Sequence, residues 1–201
     1  MPKYCDKRDD TGFSLLELMI VVAIALTITA IGLPRMSTII ANAKLRASMS
    51  SVSGLFQNCR MVAVQQNRTM TAHLSPPATP PRLVYYLKKA IDTTGTLQTS
   101  DPQVVLEVPI FAFDSPTGAG APSDVSAGVL GFKPQTTEPS FNSRGLPCAY
   151  DTPTGACPNV GFVKYFKDTR ISGSSSGWAA ISISPAGRIK RWFWTGSVWT
   201  D

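Results

Sequence analysis

The chain has 201 residues, of which 43% are hydrophobic, which suits one globular domain with an appendage. Its net charge of +6 permits binding to polyanions without requiring it. The 15 glycines and 16 prolines predict a loop-rich body made largely of strands. The sequence contains no nucleophile elbow, no phosphate-binding glycine loop and no metal-ligand cluster around its single histidine, His73. It therefore predicts no enzyme, no cofactor and no metal site.

The first predicted element is an apolar helix over Phe13 to Leu33. These 21 residues contain one charge, at Glu17, and a helix of that length spans roughly 30 Å, the thickness of a bilayer's hydrocarbon core. The polar leader, residues 1–12, carries three basic and three acidic side chains, so charge counting does not fix an orientation across the membrane. This leader ends before the apolar run, whereas a secretory signal has its cleavage site after it.

Glu17 is the residue of this segment that needs an explanation. A carboxylate at mid-bilayer costs about 2.5–3.5 kcal/mol on insertion scales, and such a group usually has a partner or a function. The stretch TGFSLLE, which ends at Glu17 and is followed by apolar residues and Pro34, resembles the processing signal of type IV prepilins. The alternative interpretation is a plain signal anchor in which Glu17 is incidental.

The resemblance to type IV prepilins implies a role for each matched position. In that family a membrane peptidase cuts between Gly and Phe, here Gly12 and Phe13, and methylates the new amine. Glu17 then becomes the fifth mature residue and Pro34 the twenty-second, within a transmembrane or filament-core helix over 13–34. A cationic amine on Phe13 can pair with Glu17 of a neighbouring subunit, so that two groups that are costly in lipid compensate one another.

The same resemblance implies a location and a set of partners. The leader is expected in the cytoplasm, the helix crosses the inner membrane once before assembly, and the body lies outside that membrane, in the periplasm or at the cell surface. The expected partners are other pilins or pseudopilins, the prepilin peptidase and the inner membrane.

Beyond Pro34 the sequence predicts a second, amphipathic part of the helix, over residues 35–68. Apolar residues recur there at alternating spacings of four and three, and form one stripe: Leu45, Met49, Val52, Phe56, Cys59 and Ala63. The polar side of the helix is formed by Asn42, Lys44, Arg46, Ser50, Ser53, Gln57 and Arg60. The first half of the helix thus fits lipid or a filament core, and the second half fits the surface of a sheet.

The helical period stops after Arg68, and residues 69–201 predict a β-rich body. Apolar runs separated by Pro, Gly and Ser clusters are typical of strands, and they lie at 69–74, 82–87, 104–113, 129–132, 160–166, 179–184 and 188–194. The composition predicts loops at 76–81, 114–126 and 172–177. The expected fold class is α+β, with the long N-terminal helix packed on an antiparallel sheet.

Two stretches of the body narrow the resemblance to the GspH/FimT family of minor pilins and pseudopilins. They are FNSRGLP at 141–147 and ISPAGR at 183–188. Three functions are compatible with this resemblance: a minor pilin of a type IV pilus, a GspH-like pseudopilin of a type II secretion system, and a pilus subunit that binds DNA during uptake. All three would use the same leader and the same helix.

Three of the four cysteines remain if the leader, which contains Cys5, is removed. Cys148 and Cys157 enclose a turn-forming segment that is short enough for a local disulfide in an oxidising compartment. Cys59 lies on the apolar stripe, where a buried free thiol behaves as a small hydrophobe. A bridge from Cys59 to one of the other two is the alternative.

The last predicted hairpin has a mixed basic and aromatic strand. Side chains alternate in direction along a strand, so one face should carry Arg188, Lys190, Trp192 and Trp194, and the other Ile189, Arg191 and Phe193. Cations attract phosphates, and exposed rings stack on the bases of single strands. Part of the GspH/FimT family takes up DNA through a Gly-Arg-x-Arg motif, which Gly187 to Lys190 resembles with Lys in the last place.

These observations predict a DNA-binding surface formed by Arg188, Lys190, Arg191, Trp192 and Trp194. The alternative is that the tryptophans pack on the body and the basic residues form a solvated strand edge, which also discourages aggregation.

Overall fold

The computed structural model describes residues 14–74, 83–86, 100–107, 109–113, 116, 118–126, 138–150, 154–171 and 177–201, apart from the side chains of 32–35, 83, 124 and 126. The chain divides into two compact units, and the boundary falls after Ile39. The predicted strand at 129–132 and the predicted loop at 76–81 lie outside the described residues.

One helix, α1 (Leu15–Gln65), contains the boundary between the two units and continues past Pro34. It ends because Asn67 adopts a left-handed conformation, with φ of 48°. The Arg68 amide then donates to the Ala63 carbonyl at 3.1 Å, and the Asn67 amide donates to the Val64 carbonyl at 3.2 Å. This Schellman arrangement satisfies the last carbonyls of the helix, so the predicted end at Arg68 was three residues late.

The two stretches of α1 differ in what surrounds them. Along the part of the helix within the first unit the described large apolar side chains are exposed on every side: Leu15, Leu16, Leu18, Met19, Ile20, Val21, Val22, Ile24, Leu26, Ile28, Ile31, Met36 and Ile39. In the second unit the predicted stripe from Leu45 to Ala63 is buried at each of its six positions. Ser53 was assigned to the polar side but is buried, and its hydroxyl donates to the Ser50 carbonyl at 2.9 Å.

Ten described strands form two antiparallel sheets of five strands each. The first sheet has the order β3 (Gln103–Val105), β2 (Leu83–Tyr86), β1 (Met70–Leu74), β5 (Ser140–Phe141) and β6 (Pro147–Cys148). The second has the order β10 (Trp199–Thr200), β9 (Ile189–Trp194), β8 (Trp178–Ile183), β7 (Phe162–Asp168) and β4 (Ile110–Phe113). A single turn of helix, α2 (Ser123–Ser126), lies between β4 and β5 in the chain.

The main core joins the stripe of α1 to both sheets. Its largest fully buried members from the strands include Tyr86, Phe141, Phe162, Phe166 and Ile181. A second, smaller cluster contains Val163, Tyr165, Trp178, Ala180 and Trp192 from the second sheet, together with Ala119 and Val125. Strand residues of the second sheet alternate between the two clusters, so this sheet has apolar contacts on both faces.

The structure differs from the predicted strands and loops at several positions. The run at 104–113 was predicted as one strand, but it forms β3 and β4, which belong to different sheets. A turn separates them, closed by the Ile110 amide donating to the Glu107 carbonyl at 2.7 Å, and Pro109 within it cannot donate to a ladder. The very short β5, β6 and β10 were not predicted, and α2 lies in the predicted loop at 114–126.

Candidate functional sites: the exposed helix and the basic hairpin

The first candidate site is the exposed part of α1. Its most apolar 18-residue window has a mean hydropathy of 2.4, so the helix is long and apolar enough to cross a membrane. Glu17 is exposed in the first turn, three residues after Ser14, which precedes the helix and accepts the Leu18 amide at its carbonyl. Ser-x-x-Glu at a helix start is the pattern of a capping box, in which the glutamate also satisfies a backbone amide.

The structure describes no side chain for the other three predicted processing and assembly residues. Gly12 and Phe13 lie outside the described residues, and Pro34 is described only by its backbone, within α1. Of these four positions, Glu17 alone has a described side chain.

The second candidate site is the β8–β9 hairpin, whose turn has a defined geometry. The Gly187 amide donates to the Ser184 carbonyl at 2.7 Å, and the Ser184 amide donates to the Arg188 carbonyl at 2.9 Å. Gly187 has a φ of 82°, the left-handed conformation that a three-residue hairpin loop of this type requires. Arg188 follows at once and is exposed, while its amide donates to the Ser184 hydroxyl at 3.0 Å.

The side chains of β9 alternate as predicted, but the tryptophans are not available for stacking on bases. Trp192 is only 5% exposed, packs in the smaller cluster, and donates from Nε1 to the Ser182 hydroxyl at 2.9 Å. Trp194 is half-buried against Trp199, with ring centroids 5.4 Å apart. The premise of two exposed rings beside the cations was therefore wrong, because the smaller cluster on this face of the sheet covers them.

The cations of the hairpin lie in three different environments. Lys190 lies 4.6 Å above the Trp192 ring and 3.6 Å from the Asp201 carboxylate. Arg188 is exposed at the turn, and Arg191 is exposed on the opposite side of the strand, where it lines a groove beside α1. Arg191 therefore lies on the other face of the strand from Lys190 and Trp192, as the alternation along the strand predicted.

A second turn repeats the geometry of the first. In the β5–β6 hairpin the Gly145 amide donates to the Asn142 carbonyl at 2.8 Å, and the Asn142 amide donates to the Leu146 carbonyl at 3.0 Å. Gly145 has a φ of 74°, and Asn142 Oδ1 accepts the Arg144 amide at 2.9 Å. The two sequence stretches that carried the family resemblance are therefore two hairpin turns of one kind, in different sheets.

Both turns contact Arg60 of α1. Its Nη1 donates to the Gly187 carbonyl at 2.9 Å, and a Cβ added to Gly187 would lie 3.2 Å from the guanidinium carbon. A Cβ added to Gly145 would lie 3.1 Å from Arg60 Nε and 3.0 Å from Val64 Cγ2. Arg60 thus joins two sheets through one side chain. Sequence analysis assigned it to the solvated side of the helix, and no pattern in the sequence distinguishes it from its exposed neighbours.

Of the three cysteines that the structure describes, Cys148 and Cys157 form a disulfide, with Cα atoms 5.0 Å apart. Cys59 is free and fully buried on the α1 stripe, and this burial raises the pKa of its thiol. A thiol with a raised pKa holds little thiolate, which is the reactive form, so Cys59 has the chemistry of a packing residue.

Two other buried ionisable groups, His73 and Asp168, have charged partners nearby. His73 Nδ1 lies 2.6 Å from Glu138 Oε2, and Glu138 Oε1 accepts the Leu74 amide at 2.9 Å. The fully buried Asp168 accepts from Arg170 Nε and Nη2, and these hydrogen bonds raise the pKa of Arg170. Within the described parts of the chain, no three His, Cys, Asp or Glu side chains are grouped so that they could hold a metal ion.

Comparison with known protein families gives a match at the start of the chain. Residues 7–33 match the family model of the prokaryotic N-terminal methylation motif. The fold is similar to the crystal structure of the type IV minor pilin FimU of Pseudomonas aeruginosa strain PAO1, with a TM-score of 0.46 and 15% identity over 74% of this chain and 88% of that chain. The search of curated proteins gave no match. The methylation motif thus lies at the start of one long helix, which is followed in the chain by the strands of two antiparallel sheets.

Proposed function

We propose that this chain is a minor-pilin-like subunit of a type IV pilus, which is processed between Gly12 and Phe13 and assembles through α1. The observation that carries the proposal is the stretch from Leu15 to Ile31, where the described large apolar side chains are all exposed and one carboxylate, Glu17, is among them. An apolar surface of this extent requires lipid or other helices around it. Before assembly it lies in the inner membrane, with the body outside.

Glu17 gives assembly a specific driving force. Removal of the leader creates a cationic amine on Phe13, and both this amine and the Glu17 carboxylate are costly in an apolar environment when they are alone. Contact between subunits can pair them, so the pair forms only in the filament. A GspH-like pseudopilin of a secretion system would use the same pair, so this mechanism holds for either kind of filament.

Two substitutions at Glu17 separate charge from helix capping. Glu17→Gln retains the side-chain oxygen that a capping box needs but loses the charge, whereas Glu17→Ala loses both. Breaking a desolvated ion pair costs about 3–5 kcal/mol, so we expect both variants to fall at least about tenfold in the sheared-filament fraction. Ser14→Ala removes only the hydroxyl that the capping-box pattern uses and serves as the matched control, with incorporation close to that of the parent chain.

The membrane fraction of the same cells provides the test of processing. Intact-mass analysis should show loss of residues 1–12 in the parent and in all three variants. Normal incorporation of Glu17→Gln would reject the charge-pairing mechanism, because the cap alone would then suffice. A mature chain that begins after Leu33 would reject prepilin processing altogether.

DNA binding during uptake is a second candidate, which now depends on cations alone. Arg188 is favoured because the left-handed Gly187 places it, exposed, at the end of the hairpin. We expect the full chain in detergent to bind labelled DNA weakly and in a salt-sensitive way. Binding should fall for Arg188→Ala with Lys190→Ala but not for Arg144→Ala, an exposed arginine of the other turn. Equal binding by the double variant would reject this candidate.

A further inference from the structure

The outer edge of β9 has a strand partner along only part of its length. β10 pairs with Phe193 and Trp194, and no other described strand pairs with this edge. From Ile189 to Arg191 the strand is therefore bonded on its β8 side only, among the residues that the structure describes. Such an edge presents backbone donors and acceptors that an incoming strand can use.

A groove runs beside this open edge, between β9 and the flank of α1. It consists of two adjoining cavities of about 440 and 320 Å³ that share Ile189 and Arg191. Its α1 side extends from Arg46 to Gln57, about 16 Å at 1.5 Å per residue, which matches roughly five residues of extended chain. Between these ends the wall consists of Ser50, Ser53 and Gly54, and the space at Gly54 is open.

The chemistry of this edge groove combines an apolar strip with cations. Ile189 and Phe193 line it and are half-buried, and the Arg46 guanidinium lies 4.6 Å above the Phe193 ring. Among the described residues no acidic side chain pairs with Arg46 or Arg191. Asp201, the residue after β10, lines the same groove and lies 3.6 Å from Lys190. One acidic side chain on an extended segment is therefore already accommodated here.

We propose that the edge groove binds an extended, acidic segment of a partner protein, which adds a strand to β9 where β10 stops. The open backbone edge supplies main-chain hydrogen bonds, as in other cases of strand addition. Arg46 and Arg191 supply charge complementarity, and the small residues of α1 leave room for the alternate side chains of the added strand. A DNA backbone would use the two arginines but not the open edge or the apolar strip. The inference does not depend on the pilus proposal, so either can fail alone.

The test uses the full chain in detergent and four probes. The main probe is a fluorescent, terminally blocked heptapeptide that alternates Glu and Val. Its first control replaces Glu by Lys, its second is N-methylated at alternate amides, and a labelled oligothymidine tests nucleic acid. The protein variants are Arg46→Gln with Arg191→Gln, and, as a control for loss of positive charge away from the groove, Arg144→Gln.

We expect the Glu-Val peptide to bind and to slow hydrogen exchange in the β9 segment. Loss of the two groove arginines should weaken binding about three- to thirtyfold, and N-methylation at least about tenfold. The control variant should bind as the parent does. Equal binding of the Lys-Val peptide, no effect of N-methylation, no binding of the acidic peptide, or oligothymidine binding that depends on Arg46 and Arg191 without peptide binding would each overturn the proposal.

Discussion

The two stretches of α1 belong to one continuous helix, yet they are built for different surroundings. From Leu15 to Ile31 the described large apolar side chains are exposed in every direction, whereas from Leu45 to Ala63 a single stripe is buried against two sheets. The difference lies in the arrangement of apolar residues rather than in helix propensity. A helix that is apolar all round needs an apolar solvent, and a striped one needs a folded partner of the same chain.

The largest effect that tests this comparison is expected at Phe56. Its side chain is only 1% exposed in the main core, so Phe56→Ala should lower the free energy of unfolding of the body by about 3–5 kcal/mol. Chemical denaturation of the full chain in detergent, followed by tryptophan fluorescence, measures this loss. A loss below about 1 kcal/mol would show that the buried stripe does not hold the body together.

The disulfide is expected to contribute less than the core. It closes a short loop, with a sequence separation of 9, and the chain-entropy model gives about 2–3 kcal/mol for a loop of that size. Replacement of both Cys148 and Cys157 by Ser should lower the free energy of unfolding by this amount. The parent under reducing conditions should match the variant, and a difference between the two would indicate an effect of serine itself.

The contact of Arg60 with the two turns links α1 to both sheets, and a substitution at one of these turns measures how much the contact contributes to stability. Gly187→Ala places a side chain at a φ of 82° and against the guanidinium, which should cost about 1–3 kcal/mol. Gly54→Ala is the matched control, since Gly54 is helical and has open space around its Cα. That substitution should stabilise by roughly 0.5–1 kcal/mol. Equal losses of stability in Gly187→Ala and Gly54→Ala would show that the turn geometry at Gly187 does not cause the loss measured there.

The smallest effect is expected in the exposed stretch. Leu26 is 65% exposed, so Leu26→Ala should change the free energy of unfolding of the body by no more than about 0.5 kcal/mol. The same denaturation experiment measures it beside Phe56→Ala. A loss of 2 kcal/mol or more at Leu26 would abolish the distinction between the two stretches of the helix.

The features that could be predicted from the sequence are those that a regular repeat encodes. The stripe from Leu45 to Ala63 follows from spacings of four and three, and the strands near 69–74, 160–166 and 179–184 follow from apolar runs between turn residues. The division of the strands into two sheets has no such signal. Their pairing depends on contacts between residues that are far apart in the sequence, as when β4 pairs with β7.

In the β8–β9 hairpin the sequence predicted the direction of the side chains but not their burial. Alternation in β9 correctly predicted which side chains share a face, but it could not show what covers that face. Trp192 is buried because the segment with Ala119 and Val125 packs there, more than 60 residues earlier in the chain. Arg60 was misjudged for a similar reason, since its partners at 145 and 187 become neighbours only after both sheets have formed.

The position of Cys59 links formation of the main core to the pairing of the cysteines. In an oxidising compartment its thiol is available for wrong pairing with Cys148 or Cys157 until the helix stripe is buried. A chain that made such a bond would have to draw a residue of α1 out of the main core, and its apolar stripe would stay exposed to proteases and chaperones. A chain in which Cys59 is bonded to either of these cysteines cannot bury the Cys59 side chain in the core as the structure does. Formation of the main core and pairing of Cys148 with Cys157 therefore both require that Cys59 stays unpaired.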